Sequence, residues 1–318
     1  LFLAIGISIL IIVVFQLLFP QQVPIQSNDQ NTNEQIQPAT SIDNDEVSIA
    51  KIIKSKDEII NLSERVNINT KSLSGSINLK GAIIDDLILL KYNEELNDNS
   101  KKITLFSPDG TSNPYYFELG WKQLSNDSSV IELPNLDTQW KSSSSNLNSN
   151  QSIVLNWTNN QNITFKIIIE IDDNYLFNIS QIIENNSSNS INVFPYRLIK
   201  RINMPKTINF FILHEGLISH LDEKLLEKKY DHLQDDCSST SKVKKLFCDQ
   251  KSTGGWLGFT DKYWMATLIP DQNKPINANF RHGNNGRDNF RVGYVGEISE
   301  IKSKSSNIYN GKLFAGAK

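Results

Sequence analysis

The spacing of apolar residues changes twice along the chain. Leu1 to Phe19 is apolar except for Gly6, Ser8 and Gln16. A run of this length predicts a helix of about 28 Å, which matches the hydrocarbon thickness of a bilayer. From Pro20 to about Asp45 the chain is Gln, Asn, Ser, Thr and Pro with almost no aromatic residue. Such a segment cannot bury enough apolar surface to offset the entropy of ordering it, so residues 20–63 are read as a disordered tether. Within it Val47, Ile49, Ile52, Ile53, Ile59 and Ile60 leave room for a short helix. After Glu64 the apolar period falls to two. Tyr115, Phe117, Leu119 and Trp121 alternate with Tyr116, Glu118 and Gly120, and Ile163, Phe165, Ile167, Ile169 and Ile171 alternate mostly with polar residues. That alternation predicts half-buried antiparallel strands.

Turn residues punctuate these runs at hairpin-like intervals: Pro108-Asp109-Gly110, Asp172-Asp173-Asn174, Asn185 to Ser188 and Asn284-Asn285-Gly286. Residues 64–318 therefore read as one mainly β domain, a large antiparallel sandwich. Residues His220 to Gln234 fit less well. Their leucines have helical spacing, yet Asp222-Glu223 also suits a hairpin turn.

Charge and flanks set the topology. Lys and Arg number 32 against 35 Asp and Glu, a net charge of -3, so no basic surface for nucleic acid is indicated. Pro20 to Ala50 holds no Lys or Arg but carries Asp29, Glu34, Asp43, Asp45 and Glu46. The apolar core also runs into Phe19-Pro20-Gln21-Gln22 without a small-residue cleavage pattern. An uncleaved anchor with the bulk of the chain outside the cytoplasm is expected. There, Cys237 and Cys248, the two cysteines of the sequence, would form a local disulfide, with free thiols as the alternative. A zinc site is disfavoured, because no histidine sits at ligand spacing from the pair.

Catalytic motifs are missing. There is no G-x-S-x-G, H-E-x-x-H, phosphate loop or C-x-x-C. His214-Glu215 is the nearest acid/base candidate, but neighbours on a strand point to opposite faces. Arg281, His282, Arg287 and Arg291 frame a Gly-Asn-Asn-Gly turn and read as a solvated hairpin tip, or else as an anion site. Trp121, Trp140 and Trp157 are core aromatics or a sugar platform. No catalytic, metal or cofactor residue is assigned.

The most unusual stretch is GWLGFTDKYW, Gly255 to Trp264. Gly255 and Gly258 allow close backbone approach, Asp261-Lys262 makes a charged turn, and Trp256, Tyr263 and Trp264 supply bulk; the whole reads as a core hairpin with both indoles structural. This stretch resembles the signature of the large periplasmic domain of the YidC family of bacterial membrane protein insertases. RVNINT at Arg65 to Thr70, SGSINLKGAIIDDLILLKY at Ser74 to Tyr92 and LFAGAK at Leu313 to Lys318 are similar too, especially to alphaproteobacterial members. The resemblance implies a galactose-mutarotase-like β-supersandwich behind one transmembrane helix. It also implies an inner-membrane location with the large domain in the periplasm, no enzymatic activity, and the Sec translocon, its accessory subunits, nascent membrane proteins and the lipid bilayer as partners. The family's insertion groove lies in further membrane helices, and these 318 residues hold no second apolar stretch long enough to span, so no insertase residue carries over. The competing reading is an anchored periplasmic carbohydrate binder or aldose epimerase, since fold does not fix function.

Overall fold

The computed structural model describes residues 53–97, 99–124, 130–205, 214–238 and 245–318. The expected membrane helix, Leu1 to Phe19, and the expected tether up to Ile52 lie outside the described residues. The chain divides between Gln37 and Pro38, and everything described belongs to the second unit. Among the described residues no helix is long and apolar enough to cross a membrane.

A short helix, α1 (Lys56–Ile60), comes first. Ser55 and Glu58 close it with reciprocal capping bonds, which satisfy amide groups that a helix N-terminus leaves unpaired. It falls inside the stretch expected to be tether. The Lys54 amide donates to the Gly110 carbonyl (3.0 Å) and the Lys56 ammonium lies 2.5 Å from the Asp86 carboxylate, so the folded unit begins before the change of period at Glu64.

Twenty strands follow among the described residues: β1 (Arg65–Asn69), β2 (Leu73–Asn78), β3 (Ile83–Asn93), β4 (Lys102–Phe106), β5 (Tyr115–Lys122), β6 (Lys141–Ser142), β7 (Asn146–Asn148), β8 (Ser152–Thr158), β9 (Ile163–Ile171), β10 (Leu176–Asn185), β11 (Ile191–Ile202), β12 (Gly216–Leu221), β13 (Lys224–Lys228), β14 (Asp249–Thr253), β15 (Trp256–Thr260), β16 (Trp264–Pro270), β17 (Pro275–Asn284), β18 (Asp288–Gly296), β19 (Ser299–Ile301) and β20 (Ser305–Ala317). A second helix, α2 (Tyr230–Asp236), lies between β13 and β14. The larger sheet runs β14-β17-β18-β11-β5-β3-β2-β1-β7, with β19 added to β11 and β4 to β3; the smaller runs β13-β12-β15-β16-β20-β10-β9-β8-β6. These ladders are antiparallel except β1 with β7.

The alternating pattern explains the core. In β9 Ile163, Phe165, Ile167, Ile169 and Ile171 are buried, while Thr164, Lys166 and Ile168 turn the other way and are partly exposed. Phe117, Ile199, Phe280 and Val292 of the larger sheet belong to the same buried cluster. Strand β5 departs from the half-buried expectation. It is central, and Tyr116 and Glu118 are buried on its outer side as well, where the Tyr196 hydroxyl donates to the Glu118 carboxylate at 2.8 Å. Residues His220 to Gln234 resolve into both of the forms suggested. Asp222 and Glu223, with φ of 50° and 60°, turn the β12–β13 hairpin, and α2 follows.

Candidate functional site

The GWLGFTDKYW stretch forms β15, a turn and β16. Leu257 faces Leu268 and Phe259 faces Ala266 across the ladder. Opposed residues share a face, so this register puts Trp264 with Leu257, Phe259, Ala266 and Leu268 toward the core, and Trp256 on the other side with Met265 and Thr267. Trp264 is half-buried and packs against the core cluster. Trp256 instead lies on the outer side, stacked on the His220 ring with centroids 6.4 Å apart, which corrects the expectation that both indoles are core. Gly258 permits the pairing: a Cβ there would stand 2.1 Å from the Ala266 carbonyl oxygen. Gly255 holds a φ of 85° against the His220 carbonyl.

The turn is anchored across the sandwich. The Arg201 guanidinium of β11 reaches both carboxylate oxygens of Asp261 at 2.8 Å and the Tyr230 hydroxyl at 2.9 Å. Its plane also covers the Tyr115 ring, 4.5 Å from the centroid. Burial pushes the Tyr115 and Tyr230 phenols well above their usual range. For Arg201 burial acts downward, but Tyr230, Asp261 and Tyr115 outweigh it and hold the guanidinium charged.

The structure joins Cys237, just after α2, to Cys248, with Cα atoms 5.6 Å apart and both side chains buried. The neighbouring basic cluster is built in around them. Arg281 donates to the Cys248 carbonyl (2.9 Å) and pairs with Asp249 (2.6 Å); the His282 amide donates to the Cys237 carbonyl. Arg281, His282 and Arg291 are buried, which corrects the reading as a solvated tip; Asn284, Asn285 and Gly286 are the exposed part. The His282 ring meets Asp288 at 2.9 Å beneath Phe290. Several donors, His282 among them, outweigh burial and hold the Asp288 carboxyl below its ordinary value.

His214 and Glu215 precede β12 rather than lying in a strand, and the His214 ring is engaged by the Leu217 carbonyl at 2.6 Å. Trp121 and Trp140 are buried and stacked, and Trp157 packs on Phe165, so they form no exposed platform.

A cleft of about 130 Å³ opens between the sheets, walled by Pro195, Pro270, Pro275, Ile276, Tyr294 and Tyr309. Its polar lining includes Gln181 and Arg197, both buried. Arg197 donates to the Gln181 side chain (2.8 Å) and to the Ile179 and Tyr309 carbonyls (3.0 and 3.1 Å), and Gln181 donates to the Gly120 carbonyl. Burial lowers the Arg197 pKa and raises that of Tyr294. This chain of bonds ties the two sheets; it offers donors and an apolar wall but no histidine. Among the described residues no cluster of three His, Cys, Asp or Glu could hold a metal.

Residues 65–318 match the family described as the YidC periplasmic domain. The chain belongs to that family. Membrane protein insertase YidC of Methylorubrum extorquens is 38% identical over 266 residues, 83% of this chain and 42% of the relative. The Rickettsia conorii protein of the same name is 35% identical over 305 residues, 94% of this chain and 50% of the relative. The chain thus spans about half the length of these relatives. Among solved structures, a galactose mutarotase-related enzyme from Lactobacillus acidophilus (TM-score 0.50, 7% identity, covering 79% of this chain and 97% of that one) shares the fold. So does a galactose mutarotase-like protein from Lactobacillus casei (0.50, 9%, 79% and 99%). At such identities the likeness of the YidC periplasmic domain to these proteins shows the fold alone. The YidC relatives are named as insertases. The inter-sheet arginines were not singled out in the sequence, where Arg197 and Arg201 pass for the outward half of an alternating strand.

Proposed function

We propose that this chain is the membrane anchor and periplasmic domain of an insertase and chaperone for inner-membrane proteins. In this reading Leu1 to Phe19 spans the bilayer, the polar residues after it are a tether, and the sandwich works in the periplasm as a folding and interaction module. It acts there alone or beside the Sec translocon and its accessory subunits. The family match over 65–318 carries the reading. The bonded polar groups of the cleft and of the Arg201 network support a scaffold, since Arg197, Gln181 and Arg201 each donate to a partner across the sandwich.

The test is genetic replacement. A bacterium depleted of its own insertase receives a full-length relative whose periplasmic domain has been exchanged for residues 53–318. Growth and insertion of a single-span reporter are expected to be restored. A stable, correctly located chimera that restores neither would refute the reading.

A further inference from the structure

At one end of the sandwich the two sheets share an aromatic cluster. Tyr92, at the end of β3 in the larger sheet, meets Trp264 of the smaller sheet edge-on at 5.0 Å. Tyr263 packs on Trp264 at 6.0 Å, and the Lys262 ammonium lies 5.2 Å from the Tyr263 ring centroid. Lys318 completes the group: its amide donates to the Tyr263 carbonyl (3.0 Å) and its ammonium to the Thr260 hydroxyl (2.8 Å). Tyr263 is 56% exposed and Tyr92 38% exposed, large values for aromatic rings in a domain that buries most of the others.

We infer that this end rests on the headgroup layer of the bilayer to which the chain's own apolar segment is anchored, an inference that depends on the anchor reading above. Tyr and Trp combine an apolar body with a polar tip and favour the boundary between hydrocarbon and water, while lysines beside them offer ammonium groups to lipid phosphates. The patch is too small for a protein partner: two half-exposed rings present on the order of 200 Å², against about 800 Å² per side in a standard interface. A tethered surface needs little area, however. The 33 residues from Pro20 to Ile52, taken as a polar coil, have a root-mean-square reach of about 30 Å. Such a tether holds the domain near the surface at high effective concentration.

The experiment uses the full chain in phosphatidylcholine and phosphatidylglycerol vesicles, with lipids brominated near the top of the acyl chains as quenchers of tryptophan fluorescence. Flotation first shows that the chain is anchored. Bromolipid is then expected to quench wild type, and Trp264→Phe is expected to remove most of that quenching. A Tyr92→Ser/Tyr263→Ser double variant, which keeps Trp264, is expected to lose roughly half of it. Near-ultraviolet circular dichroism checks that both variants stay folded. Equal quenching of wild type and Trp264→Phe in floating vesicles overturns docking and leaves the anchor standing. Trp264 insensitive to bromolipid in floating vesicles also overturns docking, whether or not iodide reaches it. A chain that does not float overturns both.

Discussion

Arg197 and Arg201 stand four residues apart on β11, and both guanidinium groups point into the sandwich beside Ile199. Removing one partner from the partly buried Arg201–Asp261 pair leaves the other charge poorly compensated, at a cost below the roughly 3 to 5 kcal/mol of a fully buried pair. Arg201→Met is therefore expected to lower the urea midpoint strongly, and adding Asp261→Asn to recover part of the loss; two independent, additive losses would show that the pair is not coupled. Phe259 and Trp256 make a second contrast. Phe259 is fully buried and its replacement by Ala is expected to cost about 3 to 5 kcal/mol, whereas Trp256→Ala, on the outer side, should cost less than half of that. Equal shifts in denaturation midpoint would put both rings in the core. Neither point was visible in the residues. A basic residue at an alternate position reads as solvent-facing, and two tryptophans eight positions apart share parity only if the strand runs straight. In the ladder observed, pairing Leu257 with Leu268 exchanges odd and even sets at the turn.

At the scale of elements, strand periodicity was the legible part, because alternation records the inside and outside of a sheet directly. Helix α1 was foreseen only as an option inside the tether, since its five residues carry no buried side chain and its support is the capping box and the Lys56 pair. Ser55→Ala is expected to weaken that end by about 1 kcal/mol, seen as faster amide exchange confined to the first turn of α1. Unchanged exchange there would mean that the ion pair alone holds the helix. The Cys237–Cys248 link closes a short loop, worth about 3 kcal/mol in the chain-entropy account. In protein taken from the periplasmic side without reductant, neither thiol is expected to alkylate until the domain is unfolded and reduced; prompt labelling of both would place free cysteines there. Strand order, by contrast, was not legible, because alternation says which side a residue faces and nothing about its neighbouring strand.

For the molecule as a whole, the buried phenols decide behaviour in alkali. Burial raises the folded-state values of Tyr115, Tyr196, Tyr230 and Tyr294, while an unfolded phenol ionises near pH 10. Above about pH 10 the unfolded chain sheds protons that the folded one retains, so stability that is intact below this pH is expected to fall as pH rises. Urea midpoints measured across that range, followed by phenolate absorbance, check it; midpoints that stay level would mean these rings are open to hydroxide. The place of β20 has another consequence. This strand, Ser305–Ala317, lies in the interior of the smaller sheet between β16 and β10. During synthesis β13-β12-β15-β16 and β10-β9-β8-β6 can each form early, but the seam between them stays open until Ser305–Ala317 has been made and is free to pair. The domain is therefore bound to wait as two unjoined half-sheets with bare edges, which is when proteases and aggregation have their best access to it.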